Sequence, residues 1–334
     1  MAYSWRAVRR AILTPNVSAT RLDVRGFHEK SPAARELLET IGATFLRGYG
    51  AAVEARSLAD AQSRIEEVPA RFRGFAYEGA AMGYTVLDGL PLSGRRRLPS
   101  FLAGPGKNHI YMAYVGIGWA MARLPRFRWS KLEAPDPLLQ WLVLDGYGFH
   151  QAYFDTAHYV GEQFQDPAFP WPADDPGRYA GRAIDQGIGR AMWFVGGTDT
   201  DLVATMIEKF PEHRRADLYS GAGLAVTYAG GADEQELRAF WDRAGEHRAQ
   251  VALGCAFAAE ARLLAGLVVP HVDLATAVFC DMTPAEAARV CADQRPPDGA
   301  ARPAAIRTAD QSMTPAYELW RQRVAAELTS RGRC

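Results

Sequence analysis

A short pattern recurs seven times along this chain and constrains its fold more than any other feature. It reads Gly-x-Gly, or Gly-x-Ala, inside an apolar and aromatic run. The copies are FLRGYGAAVEA (Gly48, Gly50), AYEGAAMGYTV (Gly79, Ala81), AYVGIGWAMARL (Gly116, Gly118), VLDGYGFHQAYF (Gly146, Gly148), IDQGIGRAMWF (Gly187, Gly189), LYSGAGLAVTY (Gly221, Gly223) and VALGCAFAAEA (Gly254, Ala256). Their first glycines lie 31, 37, 30, 41, 34 and 33 residues apart. Two helices of about a dozen residues with two short turns need roughly 34 to 40 residues, so the spacing predicts one helical hairpin per repeat.

Helix-start signals fall between the copies. Ser57-Leu-Ala-Asp, Thr198-Asp-Thr-Asp and Gly231-Ala-Asp-Glu-Gln-Glu each open a second helix. Thr283-Pro-Ala-Glu joins an N-cap, a proline in the first turn and a glutamate three residues after the cap, and Ser31-Pro32 announces the first long helix similarly. A central glycine costs a helix about 1 kcal/mol relative to alanine. A cost repeated at one position needs a reason, and close approach of a neighbouring helix supplies it. Phosphate binding does not, because no copy follows a β-branched strand.

The expected architecture is therefore all-α: stacked helical hairpins in a tetratricopeptide-like superhelix, with a closed (α/α) toroid as the alternative. About seven hairpins occupy residues 1–293, and residues 294–334 form an extended segment plus a C-terminal helix near Ala316 to Leu328. Two loops break the repeat. Residues 93–108 are rich in Arg, Gly and Pro, and residues 161–181 form a Pro- and aromatic-rich insertion of the kind that often serves as a lid.

Composition excludes several functions. With 38 Lys+Arg against 38 Asp+Glu in 334 residues, the formal net charge is zero, so no electropositive nucleic-acid surface is expected. The most apolar stretch, Leu263 to Val269, is too short to span a membrane. The basic N-terminus lacks the apolar core of a secretory signal. Cys255, Cys280, Cys291 and Cys334 fit neither a zinc site nor a disulfide framework and read as reduced thiols of a cytoplasmic protein.

Four stretches, RGFAYEGAAMG (73–83), DGYGFHQAYFD (145–155), AIDQGIGRAMWF (183–194) and RRADLYSGAGLAVTYAGG (214–231), resemble actinobacterial enediyne-biosynthesis proteins long catalogued as a domain of unknown function. The resemblance covers roughly residues 20 to 290. It implies a cytoplasmic protein of an enediyne or related polyketide pathway that acts near the polyene stage. It brings no catalytic residues with it.

Site candidates come from comparing the repeats with one another. Four residues after the first glycine stand Ala52, Gly83, Ala120, His150, Ala191, Ala225 and Ala258. His150 breaks a small-residue rule and is a candidate acid/base or ligand-orienting group. With Asp155 and His158 it makes only a weak metal signal. Just before the first glycine stand Arg47, Glu78, Val115, Asp145, Gln186, Ser220 and Leu253. Glu78 and Asp185 join His150 as catalytic candidates. Asp145, Gln186 and Arg190 are candidate ligand contacts, or members of a ladder of arginine–carboxylate pairs between repeats. Tyr77 and Tyr219, two residues before the glycine, and Trp119 and Phe149, three after it, extend the ligand-binding set as a recurrent aromatic stripe, which could equally be core. The basic run Arg95–Arg97 is a solvated loop or a dock for an acidic carrier protein. No metal or cofactor is called for.

Three functions follow. The first is binding or processing of an apolar polyene or enediyne-core intermediate in a helical cavity. The second is a non-catalytic adaptor that scaffolds other pathway proteins. The third, a terpene-cyclase-like toroid, lacks its aspartate-rich motif. A cavity carrying Glu78, His150 and Asp185 would favour the first, and an open concave groove the second.

Overall fold

The computed structural model describes residues 16–90, 96–297, 305–307 and 313–331. A 3-10 turn (Val17–Thr20) and one helical turn (Leu22–Arg25) lead into α1 (Pro32–Glu54), α2 (Leu58–Glu66), α3 (Ala70–Gly89), α4 (Arg97–Ala103) and α5 (Ile110–Arg123). Then come α6 (Trp141–Phe154), α7 (Tyr179–Val195), α8 (Thr200–Glu208), α9 (Glu212–Ala229), α10 (Glu234–Ala244), α11 (Arg248–Leu264), α12 (Pro270–Cys280) and α13 (Pro284–Gln294). A two-stranded antiparallel ribbon, β1 (Ala305–Arg307) with β2 (Met313–Pro315), precedes α14 (Ala316–Ser330). The expected N-caps form. Ser31 and Ser57 accept from the backbone three residues on, Asp199 rather than Thr198 caps α8, and Asp233–Glu236 and Thr283–Glu286 close capping boxes.

The seven glycine-bearing helices α1, α3, α5, α6, α7, α9 and α11 form one continuous inner row, each packed on the next. Outer helices α2, α4, α8, α10 and α12 follow five of them. After α5 the outer layer is the 3-10 turn Arg126–Lys131, and after α6 it is the irregular insertion. The insertion packs there by its aromatic residues, with Phe169 stacked on Trp129 at 5.3 Å and Trp171 buried.

The glycines explain the row. A Cβ built on Gly116, Gly146, Gly187, Gly221 or Gly254 would lie 1.8–2.2 Å from the carbonyl oxygen of Glu78, Val115, Asp145, Gln186 or Ser220 of the preceding helix. Each carbonyl belongs to the residue before the neighbour's own first glycine. Second glycines face forward in the same way: Gly118, Gly148, Gly189 and Gly223 meet the carbonyls of Val143, Ile184, Leu218 and Val251 at 2.0–2.6 Å. The helices thus touch backbone to backbone, with Cα–H groups aimed at carbonyls, and no side chain larger than hydrogen fits. These contacts correct the first repeat. Gly48 meets the Ala76 carbonyl and so is the forward-facing glycine, with Leu46, not Gly48, in the first position. Among the described residues no inner helix precedes α1, which therefore needs no backward-facing glycine. Phe45, not Arg47, is therefore the equivalent of Glu78, and Gly50, not Ala52, the equivalent of His150.

The row curls on itself as a superhelix. Tyr111 of α5 donates to Glu260 of α11 at 2.8 Å. The buried Arg262 of α11 donates to the carbonyls of Arg71 (α3, 2.9 Å) and Tyr228 (α9, 2.5 Å). The last inner helix thus reaches α3 and α5, and α13 and α14 continue past it. A toroid would instead close its last hairpin on its first.

Candidate functional site

In an α-helix, residues four apart share a face. Counting from each first glycine, positions −4, −1, +3 and +7 turn inward, and their side chains surround the superhelical axis. Two chambers lie along it. The first comprises about 860 Å³ of unfilled space, its open mouth included, and is bounded by α1, α3, α5, α6, α7 and α9. Its wall is mostly aromatic, with Phe45, Phe75, Trp119, Phe149, Tyr153 and Phe194. The second comprises about 630 Å³ of unfilled space, its opening included, lies between α5, α6, α7, α9 and α11 and is lined on one side by Tyr317, Trp320 and Arg321 of α14. Met112, Arg190, Leu224 and Tyr228 border both and divide the axis.

Glu78 and His150 both line the first chamber. Glu78 is buried at position −1 of α3, with the Trp119 indole N–H as its hydrogen-bonding neighbour. Burial pushes its carboxyl up to about 8, Arg190 offsetting part of that and Asp145 adding to it, so the group carries a proton at neutral pH. Tyr228 Oη, a buried donor on the same wall, makes no hydrogen bond and lies against Gly74 of α3. His150 sits at position +4 of α6, nearer the mouth, with its ring against Phe154 (4.7 Å) and Trp119 (5.5 Å). Burial pulls its pKa down to about 4, so the ring is neutral. Gln151 donates its Nε2 to Tyr159 Oη at 3.1 Å, which turns its Oε1 toward His150 Nδ1, also at 3.1 Å. That selects the Nδ1–H tautomer and leaves the Nε2 lone pair free to accept. One cavity therefore holds a protonated carboxylic acid and a neutral imidazole with an open basic nitrogen.

The remaining candidates divide by their place on the helix. Trp119 and Phe149, at +3, line the first chamber, and Asp145 and Gln186, at −1, line the second. Arg190 is the charged residue at +3 and sits on the partition, paired with the buried Asp145, its guanidinium 5.2 Å from the Phe149 ring centre. Gln186 donates to Asp217 Oδ1 (2.9 Å) and Tyr179 Oη (3.0 Å), and Arg321 of α14 reaches Asp217 at 3.3 Å. The arginine–carboxylate ladder is thus present around the second chamber.

Residues at −2 face the outer layer instead. Tyr77 stacks on His109 at 3.7 Å and donates to Glu66 at 2.6 Å, and Tyr219 stacks on His247. Neither borders a chamber. Asp185 shares that position. It accepts from Arg214 at 2.6 and 2.9 Å, both groups buried, while Arg214 also donates to the Gln163 carbonyl and ties down the insertion. Asp185 is a structural ion pair, not a partner of Glu78 and His150. The insertion contributes no residue to either chamber wall. His158 lies beyond the end of α6 and bonds Glu162 at 2.7 Å, so it does not share a face with His150. Among the described residues no cluster of three metal-ligating side chains forms. Of the basic run, Arg96 pairs with Glu133 and Arg97 with Asp88, while Arg95 lies outside the described residues. Cys255, Cys280 and Cys291 are buried free thiols, and Cys334 lies outside the described residues. No helix is long and apolar enough to cross a membrane among the described residues.

Tyr153, Phe194, Tyr228 and Arg123 belong to the first chamber and were not singled out from sequence. All four stand at +7, one turn beyond the aromatic stripe at +3, and continuing that stripe would have found them. No curated protein and no solved structure matches the chain. Over residues 4–328 it matches the family described as Protein of unknown function (DUF1702), and it belongs to that family.

Proposed function

We propose that this chain binds an elongated, apolar, unsaturated small molecule in its first chamber and that Glu78 and His150 move protons on it. The observation that carries the reading is an aromatic chamber whose wall holds two titratable groups, the buried Glu78 carboxyl and the His150 imidazole, the latter with no hydrogen bond to its Nε2 among the described residues. A mostly apolar cavity with a few convergent polar groups is the ordinary form of a small-molecule site. Two titratable groups whose surroundings push their pKa values apart suit acid–base work. Glu78 would protonate a double bond at carbon, and His150 Nε2 would accept a proton from elsewhere on the same molecule. The net change would be double-bond migration or ring closure at constant oxidation state. The ring faces of Trp119, Phe149 and Tyr153 would favour positive charge developing between these steps.

The resemblance of the repeats to enediyne-biosynthesis proteins extends the proposal to the substrate, a polyketide-derived polyene or enediyne-core intermediate met in the cytoplasm. An adaptor would instead need an open concave face of solvated polar residues, whereas the inward positions here are mostly buried. Metabolite analysis of a producer strain carrying Glu78→Gln or His150→Ala tests the reading. Accumulation of one unsaturated intermediate with loss of the end product is expected. An unchanged metabolite profile in both strains contradicts it.

A further inference from the structure

The first chamber has a defined mouth. Half-buried lining residues Ala19, Thr20, Gly42, Leu46, Trp119, His150 and Phe154 gather the 3-10 turn, α1, and the C-terminal parts of α5 and α6 at one end, Leu224 on the partition being half-buried as well, and the exposed lining residue is Arg123. The floor, at Phe75, Glu78, Arg190 and Tyr228, is buried. The two cations on this wall differ. Arg190 at the floor is matched by Asp145. Arg123, in the last turn of α5, enters no ion pair or hydrogen bond with a described residue, yet it lies close enough to His150 to act on its charge. A second arginine, outside the lining, packs on one of its residues. Arg25 lies 5.0 Å from the ring centre of Phe154, donates weakly to the Phe154 carbonyl at 3.5 Å, and keeps a buried Nε–H without a partner. An unpaired guanidinium at the rim of an otherwise apolar pocket matches a planar anion at one end of an apolar chain.

We propose that the mouth is a carboxylate-binding site formed by Arg123, so that the ligand is an amphipathic acid. Its unsaturated chain would run down the aromatic wall toward Glu78 while its carboxylate stays at the rim. The inference rests on the ligand-binding reading above and adds the polarity and direction of the ligand. It also gives the wall an order: His150 meets the ligand near its acid end, and Glu78 meets it near its apolar end.

The test is fluorescence titration of the full chain with cis-parinaric acid, a conjugated tetraene fatty acid, and with its methyl ester. The acid should bind about tenfold more tightly than the ester, the lower range for a charge-assisted contact at a partly exposed site. Arg123→Gln should bring the acid down to the affinity of the ester and leave the ester unchanged, while Arg123→Lys should keep most of the preference. Equal binding of acid and ester to the unmodified chain overturns the mouth assignment and leaves the apolar chamber standing. A preference that survives Arg123→Gln overturns the role of Arg123. Binding of neither probe overturns this inference together with the ligand-binding reading.

Discussion

Replacing Gly187 with alanine tests the packing account with a single methyl group. The added Cβ would lie 1.8 Å from the Asp145 carbonyl oxygen and 2.7 Å from Phe149 N, where ordinary contact begins at 3.4 Å. Both obstacles are backbone and cannot rotate away. Nor can α7 retreat, because Gly189 on its other side already abuts the Leu218 carbonyl. The inner row must therefore open by more than about 1 Å, straining the buried Arg190–Asp145 pair and the α6–α7 seam. Overpacking costs about 1–3 kcal/mol where side chains can adjust and more where they cannot, against a gain of about 1 kcal/mol in helix propensity. A net loss of about 3 kcal/mol is expected, measured by urea denaturation or calorimetry. Gly89→Ala is the control. That glycine also ends a helix of the row, but its Cβ would meet only the flexible Leu124 side chain at 3.2 Å, so its stability should hold or rise. If Gly187→Ala behaves like Gly89→Ala, the close-contact explanation of the repeat is wrong.

Three further outcomes are expected. Because the Glu78 carboxyl is raised from 4.5 to about 8 in the fold, the unfolded chain releases this proton first, and stability drains away as pH rises between those values; Glu78→Gln should remove that drain, so its advantage in melting temperature should grow from pH 5 to pH 8, and a constant difference would contradict the protonated carboxyl. His150→Ala deletes a ring whose hydrogen bond is to its neighbour Gln151 and restores the small residue of the other repeats, so it should change stability by less than about 1 kcal/mol while abolishing turnover; a larger loss of stability with normal product titre would make the histidine structural. Asp185→Asn should do the reverse, costing about 3–5 kcal/mol by stranding the buried Arg214 and leaving ligand binding intact in whatever fraction stays folded.

The fold was legible because its determinant is local and repeated. A glycine forced by a neighbouring backbone leaves its mark at every copy, and the caps at Ser31, Ser57, Asp233 and Thr283 mark where helices begin. The site was legible only in part. Comparing repeats isolated Glu78, His150, Trp119 and Phe149, since polar or aromatic exceptions in a small-residue pattern stand out. It could not decide which positions face the axis. One residue is about 100° of helix rotation, and that step separates Gln186 on the second chamber's wall from Asp185 against Arg214. The same step turns Tyr77 and Tyr219 outward. The first repeat misled for a different reason: as the end of the row it lacks one glycine, and alignment by the visible pair slipped by two residues. The outer layer after α5 and α6 was hidden because aromatic stacking of the insertion on Trp129 and Tyr147 replaces an outer helix there. The mouth depends on the curl of the whole row, which brings Thr20, Leu46, Arg123 and Phe154 together from distant parts of the chain.

Photo-crosslinking tests the central claim, an apolar ligand held inside the superhelix, most directly. An apolar polyene bearing an alkyl diazirine is irradiated with the full chain, and the labelled residues are located by peptide mass spectrometry. Labels should fall on the first chamber's wall, at residues 149–154 of α6, 224–229 of α9 and the facing stretch 75–82 of α3. Labelling confined to exposed apolar side chains such as Val24, Phe127, Leu263 and Leu264 would contradict it.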